Sequence, residues 1–184
     1  LSASGETYDG TEKSHVSGEI KGFTPTIVYE KKGTDGSFAT IDSTPSDAGT
    51  YRASITYTVD EAKNKVYSVS VTYDISPATP TLTWPSEKTV GYTGNAITED
   101  AIGEPTVTLV NGESYKGAIQ YSYRTSGSSD EFTSGLPTEI GTYEVKAVVD
   151  ADGNYAKAEK SMTLTIAWLT DVADATLKDQ GGKS

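Results

Sequence analysis

Every second residue is apolar along two stretches of the chain, each following a corner punctuated by Pro and Gly. After Pro45-Ser46-Asp47-Ala48-Gly49-Thr50-Tyr51, the residues Tyr51, Ala53, Ile55 and Tyr57 share one face. After Pro137-Thr138-Glu139-Ile140-Gly141-Thr142-Tyr143, the residues Tyr143, Val145, Ala147 and Val149 do the same, opposite Glu144 and Lys146. A period of two predicts a half-buried strand, and Pro with Gly predicts the turn that feeds it. A Tyr heading a late strand just after a corner predicts a tyrosine corner, with the ring inside and the hydroxyl tied to upstream backbone. Tyr51 and Tyr143, with Gly49 and Gly141, are therefore read as structural residues, and two corners predict two sandwiches.

The remaining pattern fills in both units. Pro25-Thr26-Ile27-Val28-Tyr29-Glu30 and Ala118-Ile119-Gln120-Tyr121-Ser122-Tyr123 read as central strands that run into Gly/Ser/Asp-rich turns. Val69-Ser70-Val71-Thr72-Tyr73-Asp74-Ile75 and Met162-Thr163-Leu164-Thr165-Ile166 read as closing strands. Thr106 to Tyr115, broken by Asn111-Gly112, predicts an extra hairpin in the second unit. Between the units, Ser76-Pro77-Ala78-Thr79-Pro80 is a short linker that two prolines stiffen. The expected organisation is a sandwich over residues 1–77, a second over 78–167 with the extra hairpin, and 168–184 as a linker or the truncated start of a further module. A short stiff linker also predicts an end-to-end rod with Trp84 partly buried at its joint.

Composition narrows the function. The 12 Tyr residues and the absence of Cys fit strands joined by turns and exclude a disulfide, a thiolate metal site or a thiol nucleophile. A net charge of −11 argues against nucleic acid, whose phosphates need clustered Lys and Arg. No apolar run approaches the roughly 20 residues of a membrane-spanning helix, so no membrane insertion is expected in this segment.

With these residues laid out, the chain resembles the bacterial immunoglobulin-like repeats of secreted and cell-surface proteins, of the type named for an opening Tyr-Asp-Gly. Tyr8-Asp9-Gly10-Thr11, the two Pro-x-x-x-Gly-Thr-Tyr corners, Gly153-Asn154-Tyr155 and Ile75-Ser76-Pro77-Ala78 carry the resemblance, while Tyr92-Thr93-Gly94 departs from it at Thr93. The resemblance implies an all-β fold of two tandem immunoglobulin-like β-sandwiches, an extracellular or cell-surface location, and a role as spacer or adhesive module, monomeric within a longer chain. Its partners would be glycans or a host or cell-surface protein.

Candidate chemistry is sparse. His15 is the only histidine, no Gly-x-Ser-x-Gly elbow accompanies it, and it reads as a surface residue, so the chain is not expected to be an enzyme or to need a cofactor. Asp150-Ala151-Asp152-Gly153-Asn154 alternates oxygen ligands but does not match a calcium loop and reads as a turn. The resemblance also raises an intramolecular isopeptide bond from Lys to Asn or Asp, for which Lys21 and Lys160 are candidate strand lysines, though no acid neighbour is singled out. Trp84, Tyr121, Tyr123 and Trp168 are the candidate ligand-binding residues, because outward rings stack on sugars; the competing reading has the two Trp residues padding the ends of the units.

Overall fold

The structure is a computed structural model that describes residues 1–13, 16–17, 26–60 and 65–168. The readings placed on His15, Lys21, the turn at 61–64 and the segment 169–184 lie outside the described residues. Two compact units are present. The first gathers Leu1–Pro80 with Leu109–Glu113 and Ala151–Lys157; the second gathers Thr81–Thr108, Ser114–Asp150 and the described residues from Ala158 onward.

In the first unit the strands are β1 (Ser2–Ala3), β2 (Glu6–Thr7), β3 (Val16–Ser17), β4 (Val28–Lys32), β5 (Phe38–Ile41), β6 (Gly49–Asp60) and β7 (Lys65–Ser76). A five-stranded sheet runs β2-β7-β6-β4-β5, and β1 pairs with β3 in a second sheet. The period-two face of β6 supplies the core: Tyr51, Ala53 and Ile55 are buried with Tyr73 and Ile75 of β7. Tyr51 sits opposite Tyr73 in the ladder, and their rings stack at 5.9 Å. Burying each such side chain stabilises the sheet by roughly 1.5–3 kcal/mol.

The second unit repeats this plan. Its strands are β8 (Thr81–Thr83), β9 (Glu87–Gly91), β10 (Thr106–Thr108), β11 (Gln120–Thr125), β12 (Thr133–Ser134), β13 (Gly141–Val149) and β14 (Ala158–Ala167), with one helical turn, α1 (Glu99–Ile102). The large sheet runs β12-β11-β13-β14-β9, and β8 pairs with β10. Trp84, Ile97, Ile102, Tyr121, Val145, Ala147, Met162, Leu164 and Ile166 form its core. The two units are thus tandem immunoglobulin-like β-sandwiches. The Thr106–Tyr115 run makes one short strand, a turn at Asn111-Gly112 and a single bridge between Thr108 and Ser114.

One feature of both units escaped the alternation pattern. The opening strand divides in two: the early half pairs antiparallel in the small sheet, and the later half joins the last strand of the large sheet in parallel. In the second unit Trp84-Pro85-Ser86 makes that break between β8 and β9. Proline cannot donate to a ladder, so the chain changes sheet there.

Candidate functional site

The corners are built alike. Tyr51 Oη donates to the Asp47 carbonyl oxygen at 2.8 Å, and Tyr143 Oη donates to that of Glu139 at 3.0 Å. Each ring folds back over the glycine two residues earlier. A Cβ at Gly141 would stand 3.1 Å from Tyr143 Oη, and one at Gly49 would stand 3.5 Å from the Tyr51 ring. Glycine leaves the room the ring takes.

The four candidate aromatics divide differently from the sequence expectation. Trp84 is buried, its indole Nε1–H donates to the Gly103 carbonyl at 2.6 Å, and its ring lies 6.0 Å from that of Tyr121. It packs inside the core of the second unit and does not pad a joint. Tyr121 and Tyr123 were expected to point outward, yet they pair in register with Ala147 and Val145, whose side chains face the core. Cross-strand partners share a face, so both rings turn inward. Tyr121 is buried, and Tyr123 is half-buried with its ring edge-on to Tyr143 at 5.7 Å. Trp168 alone is open, 68% exposed, with its ring edge-on to Tyr92 at 5.0 Å.

The acidic loop is engaged in hydrogen bonds of its own. Asp150 accepts from Gln120 Nε2 at 2.6 Å, and Asn154 turns toward Ala48 and Asp47 in the first unit. No group of three or more His, Cys, Asp or Glu residues placed to hold a metal occurs among the described residues. Lys160 is exposed, away from the buried setting an isopeptide bond requires.

Sequence reasoning missed a matched pair of surface arrangements. On the first large sheet Arg52 of β6 forms a two-pronged pair with Glu30 of β4, at 2.6 and 2.7 Å, and its guanidinium lies 4.5 Å from the Phe38 ring centroid. On the second, Arg124 of β11 pairs with Glu144 of β13 at 2.8 Å and stacks on Phe132 at 4.5 Å, with Lys146 also 4.5 Å from that ring. The strands holding Arg and Glu are exchanged between the units, and each pair sits directly across the ladder. The Arg partners hold both Glu carboxyls below the usual range, and Glu30 reciprocally raises Arg52. Pairs of this kind, half-buried and still reached by solvent, stabilise only modestly. Arginine stacked on an aromatic ring is, however, a side-chain pair that protein interfaces favour.

The opening turns carry charge as well. Lys13, buried despite its ammonium, pairs with Asp9 and, at 3.4 Å, with Glu6. Asp9 also accepts from the Thr11 N–H at 2.9 Å and from its hydroxyl at 2.6 Å. Hydrogen bonds from Lys13 and Thr11 hold the Asp9 carboxyl far below its ordinary value, and the Asp9 bond raises Lys13.

An open groove of about 670 Å³ lies beside α1 in the second unit, lined by Thr98, Glu99, Asp100, Gln120, Tyr121 and Ser134 among others. Burial, reinforced by Glu99 and Glu104, pushes the Tyr121 phenol up to about 12.

No family model matches the chain, and no curated protein matches it. Among solved structures it is similar to the crystal structure of the N-terminal four Ig domains of Dscam1 isoform 9.44, at 14% identity over 89% of this chain and 43% of that one, with a TM-score of 0.40. For the N-terminal four Ig domains of Dscam1 isoform 1.9 the identity is 15% over 78% of this chain and 38% of that one, with a TM-score of 0.28. The chain spans less than half the length of either structure.

Proposed function

We propose that the chain is a non-enzymatic spacer and adhesive module of a bacterial surface or secreted protein. One observation carries this reading: in each unit the opening strand is zipped in parallel to the closing strand, β2 to β7 and β9 to β14. Tension on the two ends of such a unit pulls those strands past one another, so all the ladder bonds must give together instead of opening one at a time. A stalk module needs that resistance. Adhesion in this reading falls to the Arg-Phe-Glu faces, which present a guanidinium on an aromatic ring in each unit.

The arrangement of rings favours a spacer over a carbohydrate-binding module. A sugar platform needs two or three rings on one open face, whereas Trp84 and Tyr121 are buried in a core. Among the described residues no helix is long and apolar enough to cross a membrane.

Single-molecule stretching from the two termini tests the reading. The second unit, with five parallel partner pairs from Thr163↔Glu87 to Ala167↔Gly91, should unfold at higher force than the first, with two, Glu6↔Ile75 and Thr7↔Ser76. Lys88→Pro in β9 should lower only the stronger event, because the register set by Thr163 N–H on the Ser86 carbonyl and Tyr92 N–H on the Ala167 carbonyl makes the Lys88 N–H a donor of that ladder. Units that extend smoothly without a force peak would sink the proposal.

A further inference from the structure

We propose that the end of the second unit formed by Tyr92, Ile140 and Trp168 is a docking platform for the Gly-Asn-Tyr loop of a further immunoglobulin-like unit. The proposal rests on the spacer reading and adds to it the kind of partner that a stalk module takes.

The argument is an equivalence inside the molecule. The corner repeat sets Ile140 where the first unit has Ala48, and Glu139 where it has Asp47. The ladders set Tyr92 where the first unit has Tyr8: Tyr8 N–H donates to the Ser76 carbonyl at 2.9 Å, and Tyr92 N–H to that of Ala167 at 2.8 Å. Both sets of positions therefore lie at matching strand ends.

In the first unit this end is covered by residues 151–157. Asn154 Oδ1 accepts from Ala48 N–H at 2.8 Å, and its Nδ2 donates to Asp47 Oδ1 at 3.0 Å. The Asn154 carbonyl accepts from Ala78 N–H at 3.0 Å, and Ala156 N–H donates to the Ala78 carbonyl at 2.8 Å. The Tyr155 ring stands edge-on to Tyr8 at 5.4 Å, and both rings are buried. One carboxamide thus answers a corner N–H and a corner carboxylate, while the ring beside it seals the opening tyrosine.

In the second unit the same positions are open. Ile140 is 44% exposed and Trp168 68% exposed. Ile140 N–H has no acceptor among the described residues, and the Glu139 carboxylate is exposed where Asp47 receives Asn154. The platform therefore offers the corner N–H, the carboxylate and the aromatic ledge that a Gly-Asn-Tyr loop engages in the first unit.

The test uses the chain through Trp168 with residues 78–167 repeated directly after it. Trp168 then stands where Pro77 stands before Ala78, which preserves the spacing. Docking should slow amide exchange at Ile140 about fivefold, as one added hydrogen bond of roughly 1 kcal/mol implies, and should shield Trp168 from acrylamide quenching. Asn154→Ala in the appended copy alone should reverse the Ile140 protection, and Tyr155→Phe there should preserve it. Ile140 and Trp168 remaining as accessible as in the present chain, with β13 and β14 amides protected in both, would overturn the proposal. That failure would leave the spacer reading standing, because stretching reads the ladders within each unit and not this end.

Discussion

Tyr51 hydrogen-bonds the Asp47 carbonyl at 2.8 Å while its ring, 2% exposed, lies against Tyr73. The residue therefore contributes through its ring and its hydroxyl separately. Tyr51→Phe should cost about 1 kcal/mol, the worth of one hydrogen bond, and Tyr51→Ala about 3–5 kcal/mol. Calorimetric melting checks both, and an unchanged melting temperature for Tyr51→Ala would refute the anchor role. Tyr143 is less buried, so Tyr143→Ala should cost less than Tyr51→Ala.

The two tryptophans should separate sharply. Trp84→Ala opens a cavity in the second core and strands the Gly103 carbonyl, for an expected loss of about 3–5 kcal/mol. Trp168→Ala removes an exposed ring and should stay within about 0.5 kcal/mol. Urea unfolding with equal m-values would establish the contrast, and equal losses at both positions would contradict it.

The corners were legible in the sequence because Pro, Gly and alternation are local signals, and those residues sit where the pattern puts them. Parallel pairing of β2 with β7 and of β9 with β14 was not legible, since it joins the two ends of each unit and leaves no periodicity of its own. Tyr121 and Tyr123 were misplaced for a related reason. Alternation fixes which residues share a face, but the partners Ala147 and Val145 decide which face is the core. The Arg-Phe-Glu faces depend on a ladder register that no single stretch encodes. Asn154 reaches residues 106 and 107 positions earlier in the chain, a distance at which turn chemistry says nothing.

Alkaline conditions should weaken the fold. Burial pushes the phenols of Tyr73 and Tyr121 from 10.0 up to about 12. An unfolded chain releases these protons near pH 10 while the folded chain retains them, so the stability they carry is complete below pH 10 and is lost as pH rises toward 12. Urea midpoints should fall between pH 9.5 and about 11.5. Tyr121→Phe should reduce that fall, and a variant whose pH slope matches the parent would rule out this phenol as a source.

Acid acts through Asp9, whose carboxyl is depressed by bonds from Lys13 and Thr11. Its contribution is present above the ordinary carboxylate range and is lost as pH falls through that range and below. Asp9→Asn should flatten the acid limb of the stability curve for the first unit. Lys13 has the opposite sign: its raised value means a contribution held at neutral pH and lost only at high pH.

Gly10 and Gly94 occupy matching opening turns with φ of 82° and 77°, a region where alanine is strained by about 1–2 kcal/mol. Their surroundings differ. A Cβ at Gly94 would meet open space, whereas one at Gly10 would lie 2.9 Å from Asn111 Cβ, closer than such atoms can approach. Gly94→Ala should therefore cost the backbone strain alone, and Gly10→Ala that strain plus displacement of the 109–113 segment that belongs to the first unit. The excess should disappear in an Asn111→Gly background, which removes the opposing Cβ, so a double-mutant cycle isolates it. Equal losses for the two alanine variants, or an excess that survives Asn111→Gly, would show that the close approach between Gly10 and Asn111 does not matter to stability.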